Sequence, residues 1–464
     1  MVLDQYTQNI IIRNSKELVK NAKINSENGY IATVSALSEI NTPDNLAKKQ
    51  IISPGFINLH SHLAYTHLNL KPKNLFAWLK DLMHKVQNES FDPVTASLAG
   101  ARLALSTGTT FLIDNTSHLD ASVKAFQKTG LRGIIGLELF GSDPQQAKSI
   151  LNKAVEELRL MIRSLEAEPS DGMREQSHKI QFALSPHSLY SVSSELLEEI
   201  QVFLSKDSSG VLPLLLMHFA EDELEEKYFR GVDFERNHLI GDDQELVLMY
   251  DFWESLGVLD LKKRYRKQAE SSWDYFKKYV LSAGKGECLR SLKYLLTHAI
   301  NLSESEIQEL VNCPEISLVS CPRSNQFLKH NMAQVALWEK YGMHEDDENV
   351  DVHRSRGVHY GLGTDSKASN YDLDLRSELK LLVENAEMGV RRQYELLTSS
   401  AAKAIGMDDK IGSLEEAKYA DYVVFEVMDD NLDLDSVDPY ALVLDGEKTR
   451  VKEVYVGGDL VHRN

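Results

Sequence analysis

The chain has 464 residues, enough for a large core in one very large domain or two. Its 51 basic and 70 acidic residues leave a formal net charge of −19, which disfavours phosphate backbones and anionic membrane surfaces. Neither a nucleic acid nor a membrane is therefore expected as a partner. Three cysteines, Cys288, Cys313 and Cys321, form no paired framework and no CxxC, and the N-terminal stretch lacks the basic and apolar regions of a signal peptide. The expected compartment is the cytoplasm.

Residues 1 to about 50 carry short β-type runs, Asn9 to Arg13 and Tyr30 to Val34, between polar turns, too few to close a core alone. From Ile51 the texture changes to apolar runs alternating with amphipathic stretches, the signal of a parallel α/β architecture. Eight runs read as strands: Ile51 to His62, Thr109 to Asn115, Gly133 to Phe140, Ile180 to His187, Leu212 to Ala220, Lys293 to Ala299, Ile316 to Cys321 and Val358 to Asp365. Helix-like segments lie between them, at Thr95 to Ser106, Ile150 to Leu165, Ser194 to Leu204, Ser303 to Asn312 and Leu373 to Met388. This rhythm predicts a (β/α)8 TIM barrel over about residues 51–400.

Two stretches break the rhythm. Asp222 to about Gly286 is charged but carries Tyr228, Phe229, Trp253, Tyr265, Trp273, Tyr275 and Phe276, and reads either as surface helices packed on the barrel or as a lid. Trp338 to Arg356 holds the acidic run Glu345 to Glu348 and reads as solvated. After the barrel, Tyr422 to Val427 and Val451 to Val461 are strand-like; residues 401–464 are expected to join residues 1–50 in a small β-sandwich.

The first barrel run delivers His60 and His62 two residues apart, a spacing that in a strand projects both imidazoles to one face, as two ligands of one ion require. Other runs stop at His187, His218, His298 and Asp365. A buried structural histidine would explain any one of these. In a barrel, however, strand C-terminal ends converge on the active site, and four such coincidences in barrel order favour a site.

Pro54-Gly55-Phe56-Ile57-Asn58 before the histidine pair resembles the PGFxNxHxH signature of the amidohydrolase superfamily. HFAED at 218–222 resembles the HxAE motif of its deaminase and chlorohydrolase branch. SPHSLYSVSSELL, LTHAINLSESEI, CPRSN and GLGTDSKASNYDLDLRSEL are similar to further elements of that branch, in the same order, as is the C-terminal SSAAKAIGMDDKIGSLEEAKYADYVVF. Within the branch the chain looks closest to adenosine-type and aminofutalosine deaminases.

The resemblance implies one divalent metal on His60, His62, His218 and Asp365. Three imidazoles and a carboxylate suit zinc, or iron(II), with a position open for water. The fourth strand ends SPHS with no lysine to bridge a second metal, so a mononuclear site is expected. The implied chemistry has Asp365 taking a proton from the attacking water, His298 hydrogen-bonding the water or oxyanion, and Glu221 carrying a proton to the ring nitrogen of an aminated heterocycle. His187, Tyr190 and Arg323 are candidates for substrate contacts. Ser320 stands where many relatives have histidine, and Asn301 where some have a second one.

The expected activity is thus deamination of a purine nucleoside or derivative. A guanine or pterin deaminase, a chlorohydrolase and a non-catalytic scaffold are the alternatives. A small-molecule substrate is the expected partner, with a homodimer left open.

Overall fold

The computed structural model describes residues 7–36, 48–88, 90–167, 179–206, 210–231, 244–265, 269–281, 292–341 and 357–464. The N-terminal part supplies β1 (Thr7–Ile12), β2 (Leu18–Lys20), β3 (Ala22–Glu27), β4 (Tyr30–Ala36) and β5 (Lys48–Pro54). The barrel strands follow: β6 (Phe56–Ser61), β7 (Thr109–Thr116), β8 (Arg132–Leu139), β9 (Ile180–Pro186), β10 (Val211–Phe219), β11 (Lys293–His298), β12 (Ile316–Ser320) and β13 (His359–Leu362). The C-terminal part adds β14 (Tyr422–Val427), β15 (Thr449–Val456) and β16 (Asp459–Arg463).

Strands β6 to β13 pair in sequence order, all parallel. The ring closes through a parallel bridge between Ser61 and Asp365, with the backbone amides of Thr364 and Asp365 both donating to the carbonyl of His60 at 3.0 Å. The seam of the barrel therefore lies between two of the expected metal ligands. Side chains alternate along each strand, so Phe111 and Ile113, Leu214 and Leu216, and Leu295 form apolar layers on the same strand faces as Asn115, His218 and Thr297 one step further along. Apolar packing below fixes the height of the polar layer above.

The long run read from Ile51 to His62 is two strands. Across Gly55 the pairing changes sheets: the Gly55 amide donates to the Asp421 carbonyl and the Phe56 amide to the Gly108 carbonyl. A Cβ on Gly55 would stand 1.9 Å from Thr110 Oγ1, so the switch needs a residue without a side chain. Continuous apolar character hid the break, because both halves are buried. Likewise the Val451 to Val461 run turns at Gly457 and Gly458, φ +63° and +79°, into β15 and β16.

The terminal segments form a six-stranded sheet in the order β16-β15-β14-β5-β1-β2, and β3–β4 form a separate hairpin. Ile24 and Ile31 of the hairpin share a buried cluster with Ile11, Ile52, Tyr422 and Val424 of the sheet, which makes the small unit a β-sandwich. Arg132, at the start of β8, is buried in a two-pronged ion pair with Asp421 (2.7 and 3.2 Å) and lies 3.7 Å from the centre of the Tyr419 ring. Sandwich and barrel are joined there by charge as well as by packing.

The expected helices are present, as Pro93–Ser106, Ala147–Ala167, Ser194–Ser205, Glu304–Leu310 and Leu375–Val383. The first is capped by Asp92, which accepts from the amides of Val94 and Thr95, with Pro93 at the first helical position. The insertion after β10 is helical where described, at Glu223–Arg230, Gln244–Ser255, Leu259–Tyr265 and Ser272–Phe276. Its Tyr228, Phe229, Trp253, Trp273, Tyr275 and Phe276 are buried, and Phe276 meets Phe219 and Tyr294 of the barrel at 5.5 and 5.4 Å between ring centres. The Tyr265 side chain and the acidic run Glu345 to Glu348 lie outside the described residues. No helix among the described residues is long and apolar enough to cross a membrane.

Candidate metal centre

His60 is the last residue but one of β6, His62 follows the strand, His218 is near the end of β10, and Asp365 sits three residues past β13. All four are buried, and one ligand atom from each lies within 4.8 Å of the others. Asp365 Oδ1 is 3.4 Å from His60 Nε2 and 3.5 Å from His62 Nε2, while His62 Nε2 is 3.2 Å from His218 Nε2. Four donors about 2.1 Å from a tetrahedral ion stand about 3.4 Å apart, so these separations fit one zinc-sized cation. His60 Nε2 is buried without a hydrogen-bond partner, an orphan that a metal would satisfy.

Electrostatics agree with that use. Burial lowers the pKa of His60, His62 and His218, the last to about 4, so the imidazoles are neutral and their lone pairs free near pH 7. Asp365 is held well below the usual carboxylate range: burial alone would raise it, but His60, His62 and His298 outweigh that.

Outer contacts orient each ligand. His218 Nδ1 donates to the carbonyl of His187 at 2.8 Å, which leaves Nε2 to face the cluster. The Asn115 side-chain nitrogen lies 2.7 Å from His60 Nδ1; a proton on Nδ1, which leaves Nε2 for a metal, calls for the amide turned over so that its oxygen accepts. Ser324 and Ser369 donate to Asp365 Oδ2 at 2.5 and 2.7 Å, so Oδ1 is the free oxygen. Asp365 (φ 54°), His298 (φ 76°), Ala299 (φ 48°) and Ala220 (φ 47°) adopt the left-handed backbone region, which concentrates strain at the strand ends around the site.

His298 and Glu221 stand beside the cluster. His298 Nδ1 meets Asn325 Oδ1 at 3.0 Å, and its Nε2 is 3.5 Å from Glu221 Oε1. Glu221 Oε1 is also 3.6 Å from His330 Nε2, and His330 Nδ1 is 3.4 Å from Asp222 Oδ2. Burial would raise the Glu221 pKa, yet His298, His330 and His218 together pull it below its ordinary value. The carboxylate thus rests as an anion.

The candidate substrate residues divide. The His187 ring lies 4.7 Å from that of His218, and Tyr190, buried, meets His187 edge-on at 6.1 Å; both flank the centre. Arg323 turns towards the rim, where it pairs with Asp372 at 2.5 Å and lies 5.4 Å from the centre of the Tyr371 ring. Asn301 donates to the Ala220 carbonyl at 3.2 Å, pinning the backbone next to Glu221, and Ser320 is buried at the end of β12.

Sequence reasoning gave no role to Asn115, Glu138, Ser324, Ser369 or His330. Glu138 Oε1 lies 3.7 Å from His62 Nδ1, and burial and the neighbouring Asp114 push its carboxyl up to about 8. Its signal was present, an acidic residue inside the apolar run Gly133 to Phe140, as was that of Asn115 at a strand end. His330 had none, because a loop turn brings it back.

The Amidohydrolase family pattern matches residues 51–461. A 5-methylthioadenosine/S-adenosylhomocysteine deaminase of Haloquadratum walsbyi is 26% identical over 393 residues, 81% of this chain and 71% of that protein. In fold, the chain is similar to Helicobacter pylori aminofutalosine deaminase bound to methylthio-coformycin (TM-score 0.70, 18% identity, 98% of this chain and 99% of that one). It is also similar to a zinc-bound adenosine deaminase of Xanthomonas campestris (TM-score 0.66, 19% identity, 98% and 92%).

Proposed function

The chain belongs to the amidohydrolase family, and from that premise we propose that it is a metal-dependent hydrolytic deaminase releasing ammonia from an aminated purine nucleoside or a derivative of one. The observation that carries the reading is Glu221, a buried carboxylate 3.5 Å from His298 at the edge of the cluster His60, His62, His218 and Asp365. Chloride leaves as an anion, whereas ammonia needs a proton on the leaving nitrogen in addition to one on the ring, so a second proton-carrying carboxylate beside Asp365 favours deamination. The relatives named above act on adenosine derivatives, which supports the same class.

Zinc is the metal we assign, on three buried imidazoles and one carboxylate whose ligand atoms all lie within 4.8 Å of one another. When bound, it would lower the pKa of water enough to supply a nucleophile near neutral pH. Asp365, fixed by Ser324 and Ser369, accepts the proton released as that water attacks. Glu221, resting as an anion, takes the other proton of the water and delivers it to the ring nitrogen beside the amino-bearing carbon, making that carbon electrophilic; the proton held by Asp365 then passes to the amino group, which leaves as ammonia. His298, its Nδ1 held by Asn325, presents Nε2 to the oxygen that develops charge. His187 and Tyr190 contact the attached sugar from one side, and Arg323 reaches it from the rim.

We divide the chain into a sandwich of residues 1–50 and 401–464 around a barrel of 51–400, and place it in the cytoplasm on its cysteine usage.

The test is ammonia release from adenosine, its 5′-thioether derivatives and aminofutalosine, alongside metal analysis of the purified protein. Turnover of at least one, with about one zinc per chain, is expected. If all are inert while guanine, a pterin or a chlorinated triazine reacts, the substrate class is wrong; one iron per chain would overturn the zinc assignment.

A further inference from the structure

Beside the centre, on the same face of the barrel, the insertion and the loops after β8, β9 and β10 enclose a pocket lined by Ser142, Leu189, Tyr190, Tyr228, Lys262 and Tyr275, with Glu195 also in its wall. Lys262, from the insertion helix Leu259–Tyr265, is only 4% exposed. Its ammonium donates to Ser142 Oγ and to the carbonyl of Tyr190, both neutral, and no ion pair to a carboxylate forms among the described residues. A lysine is rarely so buried unless paired, because an ammonium taken from water needs a counter-charge. Burial alone lowers its pKa to about 7, as expected for an unneutralised cation. The pocket adjoins the metal centre through one residue: Tyr190 gives its carbonyl to Lys262 while its ring meets His187, which in turn faces His218.

We propose that Lys262 and Ser142 seat the carboxylate of an acidic arm on the substrate, an arm that leaves the ribose side of the purine and runs under the insertion. The carboxylate supplies the counter-charge that no described residue gives the lysine. Glu195 in the same wall repels any anion, so the lysine is matched to a single negative charge rather than to a doubly charged phosphate. This rests on the reading of the centre as a nucleoside deaminase and narrows it to substrates with a charged side arm.

The experiment compares kcat/KM for 5′-methylthioadenosine, whose arm is neutral, with that for 5′-S-(3-carboxypropyl)-5′-thioadenosine, whose arm ends in a carboxylate as its sole charge, in the wild-type metal-loaded enzyme and in Lys262→Met. The variant should lose at least roughly tenfold more on the carboxylate substrate, mainly in KM, as a lost charge-assisted hydrogen bond predicts. Equal losses on both, or none, overturn the proposal. If the wild type deaminates neither, the deaminase reading fails and Lys262 is decided separately, without a variant. Reductive methylation of Lys262 in the folded wild-type enzyme should then be slowed by butyrate and not by butyramide. Equal labelling in the two solutions overturns the site.

Discussion

Glu221 is the residue on which the proposed chemistry turns, since it neighbours the cluster of His60, His62, His218 and Asp365 without belonging to it. Glu221→Gln keeps shape and removes the titrating proton, so it should retain bound metal and lose roughly 10² or more in kcat; metal content and turnover on one preparation check both halves. His330 is held between that carboxylate and Asp222, and on the proposed reading it positions Glu221. His330→Asn should lower kcat while leaving KM close to wild type, and should displace the acid limb of the pH–kcat profile, because the cation-forming neighbour that helps keep Glu221 ionised is gone. A loss confined to melting temperature, with an unmoved profile, would mark His330 as merely structural. Gly363 makes a different demand: a Cβ there would stand 2.7 Å from His60 Cβ and 3.0 Å from Cys321 Sγ. Gly363→Ala should therefore weaken metal binding by shifting His60, measurable as faster loss of zinc to a chelator.

At the scale of elements, the insertion after β10 is anchored by buried aromatics yet stands over the substrate side of the site. Trp253 and Phe252 reach Phe76 at 6.3 and 5.7 Å between ring centres, and Phe76 in turn meets Tyr190 at 5.8 Å. A substrate bound against Tyr190, as proposed, would touch this layer from below, so a product analogue should slow proteolytic cleavage within residues 222–286; an identical cleavage pattern with and without it would refute a covering role. How far such features can be read without coordinates depends on the range of the interaction. Periodicity and strand ends are local, and they disclosed the eight barrel strands and the residues His60, His62, His218, His298 and Asp365. The change of sheet at Gly55 was invisible, because its cause is Thr110, some fifty residues along the chain. The grip of His187 on His218 through a backbone carbonyl, and of Asp372 on Arg323, depends on loop geometry that side-chain identity does not encode.

Over the whole molecule, two buried ionisable sites set how stability responds to its surroundings. Glu378 is fully buried, accepting from the Arg323 amide and the Asn370 side chain, and burial pushes its carboxyl up to about 8. An acid whose folded pKa is raised holds a proton that the unfolded chain releases. Its stabilising contribution is present below the unfolded value of about 4.3 and is lost as pH rises towards 8. The melting temperature should therefore fall between pH 5 and pH 8 at a slope that Glu378→Gln reduces. The ion pair between Arg132 and Asp421 acts instead at the join of barrel and sandwich. Asp421 also accepts from the Gly457 amide at 2.7 Å, and its carbonyl takes the Gly55 amide at the very residue where the chain crosses between sheets. Asp421→Ala would leave the Arg132 guanidinium buried and uncompensated, at a cost of about 3 to 5 kcal/mol. Because the sandwich is built from both ends of the chain and its β5 runs straight into β6, it has no independent route to unfolding. The variant should accordingly lower the melting temperature of barrel and sandwich together, as one calorimetric transition, with KM unchanged at permissive temperature. Two separated transitions, the sandwich melting first, would show that this ion pair stabilises only the smaller unit.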